Sequence, residues 1–383
     1  MINVTQIDTN NKSQANRFID IHYKLYETCP QWVPPFKNDV ALMLNRQKHP
    51  FYEHSEADFF IATQDDVDVG RIAVMENKPY NIYHNVREAN FYLFDADNNQ
   101  EIANALFERA FDWAKQRDLD TIVGQKGFGP LDGYGIQIEG FEHRQMMNMM
   151  VYNYEYYSHL IEALGFEKKV DFVSSYAGID KFKFPERIHS IANRVEKRGN
   201  LQVKRFKDKK ELLSWAGRIG QAYNKAFINN WEYYPLTERE ISFVVDNILV
   251  IAHPKLIKII SHKDEIIGFL FGFHDISAAM QRINGNLFLP YNIINPIGIA
   301  DLMLELRHTD WISFNGIGIL PEFQGHGGNA LMYSEMENTL REFPQFRHGE
   351  LTQVAETAQT MRHDLENIGV KFYKNHRVYH KII

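Results

Sequence analysis

Two distant stretches of this chain follow one pattern, and that repeat constrains the fold more than any other feature. Asp58–Thr63 (DFFIAT) reads as a strand, Gln64–Asp68 as an acidic turn, and Val69–Met75 (VGRIAVM) as the returning strand, with Gly70 near its start. Leu256–Ser261 (LIKIIS), His262–Glu265 and Ile266–Phe273 (IIGFLFGF) repeat the arrangement, with Gly268 in the equivalent place. Short apolar runs bounded by polar turns are hairpin signals. A strand and an amphipathic helix follow each hairpin. Over Gln100–Arg117, Ile102, Leu106, Ala110, Trp113 and Ala114 share a helical face, and over Gly328–Glu342 Met332, Met336, Thr339 and Leu340 do so, with Phe343 just beyond. Each half then adds a strand (Thr121–Val123, Glu350–Val354), another helix and a helix-ending glycine, Gly165 or Gly369.

Each half therefore reads α, α, β-hairpin, β, α, β, α, β. That order implies an α/β (α+β) fold: two similar domains, each a mixed, mostly antiparallel sheet with a central βαβ crossover and helices on both faces. A length of 383 residues suits two domains. The charged, proline-containing Asp180–Glu186 places the join so that the domains are 1–182 and 183–383. The second half is longer by Ser277–His308, a segment expected either to form a lid or substrate wall or to pack as an extra helix on the sheet. Gly124–Gly140 holds six of the 23 glycines. It reads as a long loop, with Asp132 and Tyr134 available to an acceptor cleft.

The formal charge of −7 lacks the basic footprint of a nucleic-acid binder, so no nucleic-acid partner is expected. One cysteine, Cys29, allows no internal disulfide and suits a reducing compartment. The N-terminal residues show no signal-peptide core, and no apolar run is long enough to span a bilayer; a cytoplasmic protein without a membrane partner is expected.

The segment that carries chemistry is Trp311–Leu340. An apolar strand stops at Pro321, a loop holds Gln324, Gly325, His326, Gly327, Gly328 and Asn329, and a helix begins at about Ala330. Glycines let the backbone turn tightly and approach a ligand. The first N–H groups of a helix have no partner within it and sit at the positive end of its dipole, which suits a phosphate. A P-loop would need Gly-Lys-Ser/Thr, which is absent, and a dinucleotide fingerprint would open a long βαβ unit rather than follow hairpins.

These residues resemble the main motif of the GNAT (GCN5-related N-acetyltransferase) acyltransferase superfamily, Arg/Gln-x-x-Gly-x-Gly/Ala after a Val/Ile-x-Pro strand end. Gln324, Gly327, Ile319 and Pro321 match it; Asn329 stands where Gly or Ala is usual, with Ala330 following, and His326 stands where Lys or Arg is common. The layout of the whole chain, with QWVPPF (Gln31–Phe36), HPFYEH (His49–His54), VGRIA (Val69–Ala73) and YKNHRVY (Tyr373–Tyr379), is similar to bacterial tandem-GNAT proteins. The resemblance implies that the backbone of Ile317, Gly318 and Ile319 pairs with the pantetheine arm of an acyl-CoA and that Gln324–Asn329 holds its pyrophosphate. It implies acetyl-CoA or another acyl-CoA as co-substrate, no metal, and a small-molecule or peptide amine as acceptor; a homodimer stays open. In the first half, the corresponding Asp95–Gln100 has no glycine. Its carboxylates would repel a pyrophosphate and suit a helix cap instead, so the first half reads as a degenerate copy.

Acyl transfer to an amine needs a base. Glu350 and Glu356, flanking the strand beside the loop helix, are the candidates. In GNAT relatives a tyrosine of the last helix often protonates the departing thiolate. Leu365 stands in its place here, and Tyr373, beyond Gly369, is the nearest alternative. Three functions follow: an acyl-CoA-dependent N-acyltransferase, a CoA-binding or regulatory module without turnover, and an aminoacyl-tRNA-dependent peptidyl transferase, against which the acidic charge speaks.

Overall fold

The computed structural model describes residues 1–129, 132–147, 150–231, 233–289 and 293–383. In chain order the first elements are β1 (Ile2–Gln6), α1 (Lys12–Leu25), α2 (Lys37–Met43), β2 (Glu56–Gln64), β3 (Val67–Glu76), α3 (Lys78–His84) and β4 (Glu88–Ala96). Next come α4 (Gln100–Lys115), β5 (Thr121–Gly124), β6 (Ile136–Glu139), α5 (Tyr156–Ala163) and β7 (Glu167–Gly178). Then follow α6 (Glu186–Arg198), β8 (Gln202–Lys204), α7 (Lys209–Ser214), α8 (Ala216–Ala226), α9 (Glu238–Ile251), β9 (Ile257–His262) and β10 (Glu265–His274). The long insert holds α10 (Ser277–Arg282), β11 (Phe288–Leu289), β12 (Ile293–Ile294) and α11 (Pro296–His308). Last are β13 (Trp311–Ile319), α12 (Gly328–Leu340), β14 (His348–Ala355), α13 (Gln359–Asn367) and β15 (Lys371–Ile382).

The chain forms two compact units. Unit 1 is Met1–Val173 with Ile276–Glu305 and Tyr373–Ile383; unit 2 is Ser174–Asp275 with Leu306–Phe372. The expected linear division at residue 182 differs from these units in two ways: Ser174–Phe182 belongs to unit 2, and Ile276–Glu305 and Tyr373–Ile383 return to unit 1. The insert is bonded to the rest of unit 1: Gln281 Nε2 donates to the carbonyls of Pro30 and Trp32, and Lys37 N donates to Gly285 O. The insert's alternatives of lid or packed helix thus resolve into helices and a short hairpin held by unit 1. The last strand belongs there too, with Tyr379–Ile382 paired to Gly124–Thr121 of β5. The helix α6 falls in unit 2.

In unit 1 the strands run β1-β2-β3-β4-β5-β15, followed by residues 167–173 of β7. In unit 2, residues 174–178 of β7 lead to β14-β13-β10-β9-β8. The repeat is borne out in detail. The turns of both hairpins place two residues at positive φ, Asp65 (50°) and Asp66 (61°) in one, Lys263 (47°) and Asp264 (68°) in the other. This is the geometry of a tight two-residue hairpin. Gly70 and Gly268 do the same work: a Cβ on Gly70 would lie 2.9 Å from Asp95 O, and one on Gly268 would lie 3.1 Å from Gly318 O. Each lets the third strand and its helix come close.

A bulge sits at the same place in the third strand of each unit. Ile72 faces both Leu93 and Phe94, and Phe271 faces both Asn315 and Gly316, with Leu93 at φ 48° and Gly316 at φ 97°. The parallel pairing that follows lasts four positions in each: Glu88–Phe91 with Thr121–Gly124, and Trp311–Phe314 with His348–Leu351. Beyond the fourth position, β13 and β14 are no longer paired with one another.

The glycine-rich Gly124–Gly140 departs from the expected long loop, because Ile136–Glu139 forms β6 and pairs with β15 at Gln137–His376 and Ile136–Arg377. Its residues 130 and 131 lie outside the described residues.

Candidate functional site

The loop singled out by sequence lies in unit 2, between β13 and α12. It is reached through a short 3-10 turn, Pro321–Phe323. Gly325 (φ 78°) and Gly327 (φ 87°) adopt the left-handed conformation that favours glycine. Gly327 is the N-cap of α12, and no side chain caps this helix. The first helical amides, Gly328, Asn329 and Ala330, therefore precede the first intrahelical bond, Leu331 N to Gly327 O. The two glycines have different constraints. A Cβ on Gly327 would lie 2.7 Å from Val195 Cγ2 of α6, whereas a Cβ on Gly325 would meet nothing within 4 Å. Gly327 sets packing, and Gly325 leaves open space.

The remaining loop residues are placed as follows. Gln324, exposed, turns its Nε2 back to Ile319 O at 3.2 Å. His326 is exposed. Asn329, the departure from the family pattern, directs its side chain to Asp364 Oδ2 of α13 at 3.2 Å. Ile317, Gly318 and Ile319 pair with Leu270, Phe269 and Gly268 of β10 on one edge. Their other edge lies past the end of the β13–β14 pairing.

Glu350 is fully buried in β14, directly across the ladder from Ser313 of β13, one step before the strands part. The buried hydroxyls of Ser313 and Thr352 make no hydrogen bond to any described residue. Nothing in the sequence distinguishes these two residues from ordinary strand positions. Glu356 is half-buried just beyond β14. Leu365 is fully buried. Tyr373 belongs to unit 1, where its ring lies 4.7 Å from that of His143. Beneath the bulge, Ile219, Tyr223, Leu236, Ile241, Val245 and Phe271 line a small apolar pocket of about 30 Å³. A Cβ on Gly316 would sit 3.1 Å from the Phe271 ring.

The equivalent place in unit 1 is filled. Asp95, expected to help cap α4, instead lies buried in β4. Its Oδ2 accepts from Arg71 Nε at 2.6 Å and pairs with His22 Nδ1 at 2.9 Å, and its Oδ1 accepts from Tyr157 OH at 3.1 Å. Trp32 Nε1 donates to His22 Nε2 at 3.0 Å, so His22 is neutral, with its proton on Nδ1. Burial lowers the His22 imidazole, against the pull of Asp95. Burial alone would raise the Asp95 carboxyl, but His22 and Arg71 outweigh it and hold it well below the usual carboxylate range. Tyr156 OH donates to Ala96 O at 2.8 Å, occupying the end of the strand. The helix cap is Asn99, whose side chain accepts from Glu101 N. Thus α4 starts with a side-chain cap, and α12 does not.

No family model matches the chain. In sequence it is 24% identical over 385 residues to the bacterial ceramide synthase of Caulobacter vibrioides, covering 97% of this chain and 95% of that protein. It is 25% identical over 389 residues to protein YghO of Escherichia coli K12, covering 97% and 94%. A solved tandem GNAT protein from the clavulanic acid biosynthesis pathway superposes with a TM-score of 0.56 at 10% identity, covering 100% of this chain and 98% of that one. The GCN5-related glucosamine N-acetyltransferase region of a fungal multi-domain β-N-acetylglucosaminidase also reaches 0.56, at 12% identity, covering 100% of this chain and 38% of that one. The fold is a GNAT fold, present twice. That doubled fold is similar to the solved tandem GNAT protein over the whole chain.

Proposed function

We propose that this protein is an acyl-CoA-dependent N-acyltransferase that holds its donor in unit 2 and acylates a long-chain amine. The observation that carries the reading is the contrast between the two helix starts. The α12 start is uncapped, glycine-lined and set beside parting strands, whereas its counterpart in unit 1 is capped by Asn99 and filled by the Asp95 cluster. A pyrophosphate fits the α12 start because amide N–H groups and the dipole favour an anion there and because Gly325 leaves space. The amides of Gly328, Asn329 and Ala330 hold it, and Ile317–Ile319 offer their open edge to the pantetheine arm.

Acyl-CoA supplies the thioester. Forming the amide requires one proton to leave the amine nitrogen as the C–N bond forms and the C–S bond breaks. Glu350, buried in β14 where the two strands part, is the base that takes that proton. Thiols ionise at about pH 8.5, so the sulfur can leave as a thiolate and take its proton from water, which makes a leucine at position 365 compatible with turnover. Likeness to a ceramide synthase over nearly the whole chain supports a lipid-like amine as acceptor.

The test follows thiol release with acyl-CoAs of two to sixteen carbons and either a long-chain 2-amino-1,3-diol or spermidine as acceptor. Turnover on the long-chain amine, with Glu350→Gln lowering kcat about a hundredfold or more at unchanged donor affinity, is expected. Donor binding without turnover on any amine would favour the second reading, a CoA-binding module, for which the buried Leu365 is the supporting observation.

A further inference from the structure

The insert, in unit 1 as far as Glu305, exposes a group of large apolar side chains. Phe288, Ile293 and Ile294 of the short hairpin and Ile297, Ile299, Met303 and Leu304 of α11 are between 38% and 81% exposed. Phe288 and Ile294 are register partners, so their side chains share a face. Asp301 and Glu305 of α11 both reach Arg282 of α10, at 2.8 and 2.6 Å, and lie with Gly298, Leu302 and Leu306 on the less exposed side of the helix. A helix resting on a core normally points its apolar residues in; α11 instead leaves Ile297, Ile299, Met303 and Leu304 exposed. Scattered exposed apolar residues are ordinary. Seven within one hairpin and the helix that follows it in sequence are a concentration of the kind that marks an interaction site.

The occupant can be argued from charge and size. Among the described residues from Phe288 to His308, the exposed charged side chain is Arg307, beside the exposed imidazole of His308, and no carboxylate is exposed. A stable contact with a second copy takes about 20–30 residues a side, far more than this patch supplies. An apolar face bordered by a cation suits a lipid–water interface, where such a face sinks to the headgroup–acyl boundary. No described helix is long and apolar enough to cross a membrane, so the contact is peripheral. We propose that the β11–β12 hairpin and α11 dock this protein on an anionic phospholipid bilayer. The sequence expectation of no membrane partner rested on the lack of a spanning segment, and surface docking needs none. The benefit of docking rests on the long-chain amine reading, since such an acceptor resides in a bilayer.

The experiment is flotation of the full chain with vesicles of phosphatidylglycerol and phosphatidylethanolamine, and separately of phosphatidylcholine, without acyl-CoA. The proposal expects wild type to float with the anionic vesicles, more weakly with the neutral ones, and less as salt rises. Combining Ile297→Asp, Met303→Asp and Leu304→Asp should lower vesicle affinity about tenfold or more. Ile82→Asp, at a position 80% exposed outside the patch, should not. Circular dichroism and acyl-CoA titration on the triple variant verify that it folds. Failure of wild type to float, equal flotation of wild type and triple variant, or a patch-dependent dimer in sedimentation would each overturn the proposal. Because flotation is read without donor or acceptor, its failure is separate from that of the acyltransferase reading.

Discussion

Replacing Asp95 by Asn removes the centre of the buried cluster in unit 1 and leaves Arg71, 1% exposed, without its counter-charge. Breaking a buried pair by deleting one partner costs about 3–5 kcal/mol. Asp95 also accepts from Tyr157 and anchors His22, which in turn holds Trp32, so the upper part of that range is expected. For a unit of this size, 1 kcal/mol shifts the melting temperature by about 2–4 °C, so a fall of about 10–15 °C follows. The companion variant Arg71→Met with Asp95→Leu exchanges the pair for apolar side chains and should recover most of the loss, because two desolvated charges go together. The assay is thermal unfolding by near-ultraviolet circular dichroism, with acyl-CoA titration on each folded variant. If the cluster fills a disused cleft, stability falls while donor affinity in unit 2 stays within twofold. A single substitution that leaves the melting temperature unchanged, or that abolishes donor binding in a stable protein, would refute this reasoning.

Other expectations rest on single contacts. Gly325→Ala adds a Cβ in open space at positive φ and should cost about 1 kcal/mol, whereas Gly327→Ala also drives a Cβ against Val195 and should cost about 2–4 kcal/mol by urea unfolding, partly restored by Val195→Ala. Burial, with His253 nearby, lowers His274 to about 4. The unfolded chain, with histidine near 6.5, then binds the proton more readily than the native one. This stabilising contribution is complete above about pH 6.5 and is lost as pH falls toward 4, a loss of about 3 kcal/mol. His274→Phe should remove it, seen as a smaller drop in urea midpoint between pH 7 and pH 4. Asp132, raised by burial to about 6, acts in the opposite sense and is common to both proteins, so the difference between the two isolates His274.

Much of the fold was legible because each half encodes it locally. Alternating apolar residues and polar turns defined both hairpins, and Gly70 and Gly268, at matching places in the two returning strands, marked the same close approach. What stayed hidden depends on partners remote in the chain. The pattern of YKNHRVY defines a strand but not its neighbour, so its place beside β5 was not readable. Asp95 looked like a helix cap because a carboxylate shortly before a helix usually is one. Its real partners, Arg71 and His22, lie 24 and 73 residues away. Likewise, the four-residue β6 is too short for its alternation to stand out among glycines, and it exists because His376 and Arg377 supply the adjoining edge. At the site, the glycine loop announced itself through composition, whereas Ser313 and Thr352 acquire interest only from a burial without partners.

The central claim is that the α12 start holds an acyl-CoA. Calorimetric titration with acetyl-CoA and with a longer acyl-CoA, on wild type and on Gly325→Asp, tests it most directly, because the new carboxylate enters open space where the pyrophosphate is placed. The account predicts saturable binding to wild type and at least about a tenfold loss in the variant, from like-charge repulsion at the helix start, with its melting temperature lowered only slightly. Equal affinity for wild type and variant, or no binding to wild type, would contradict it.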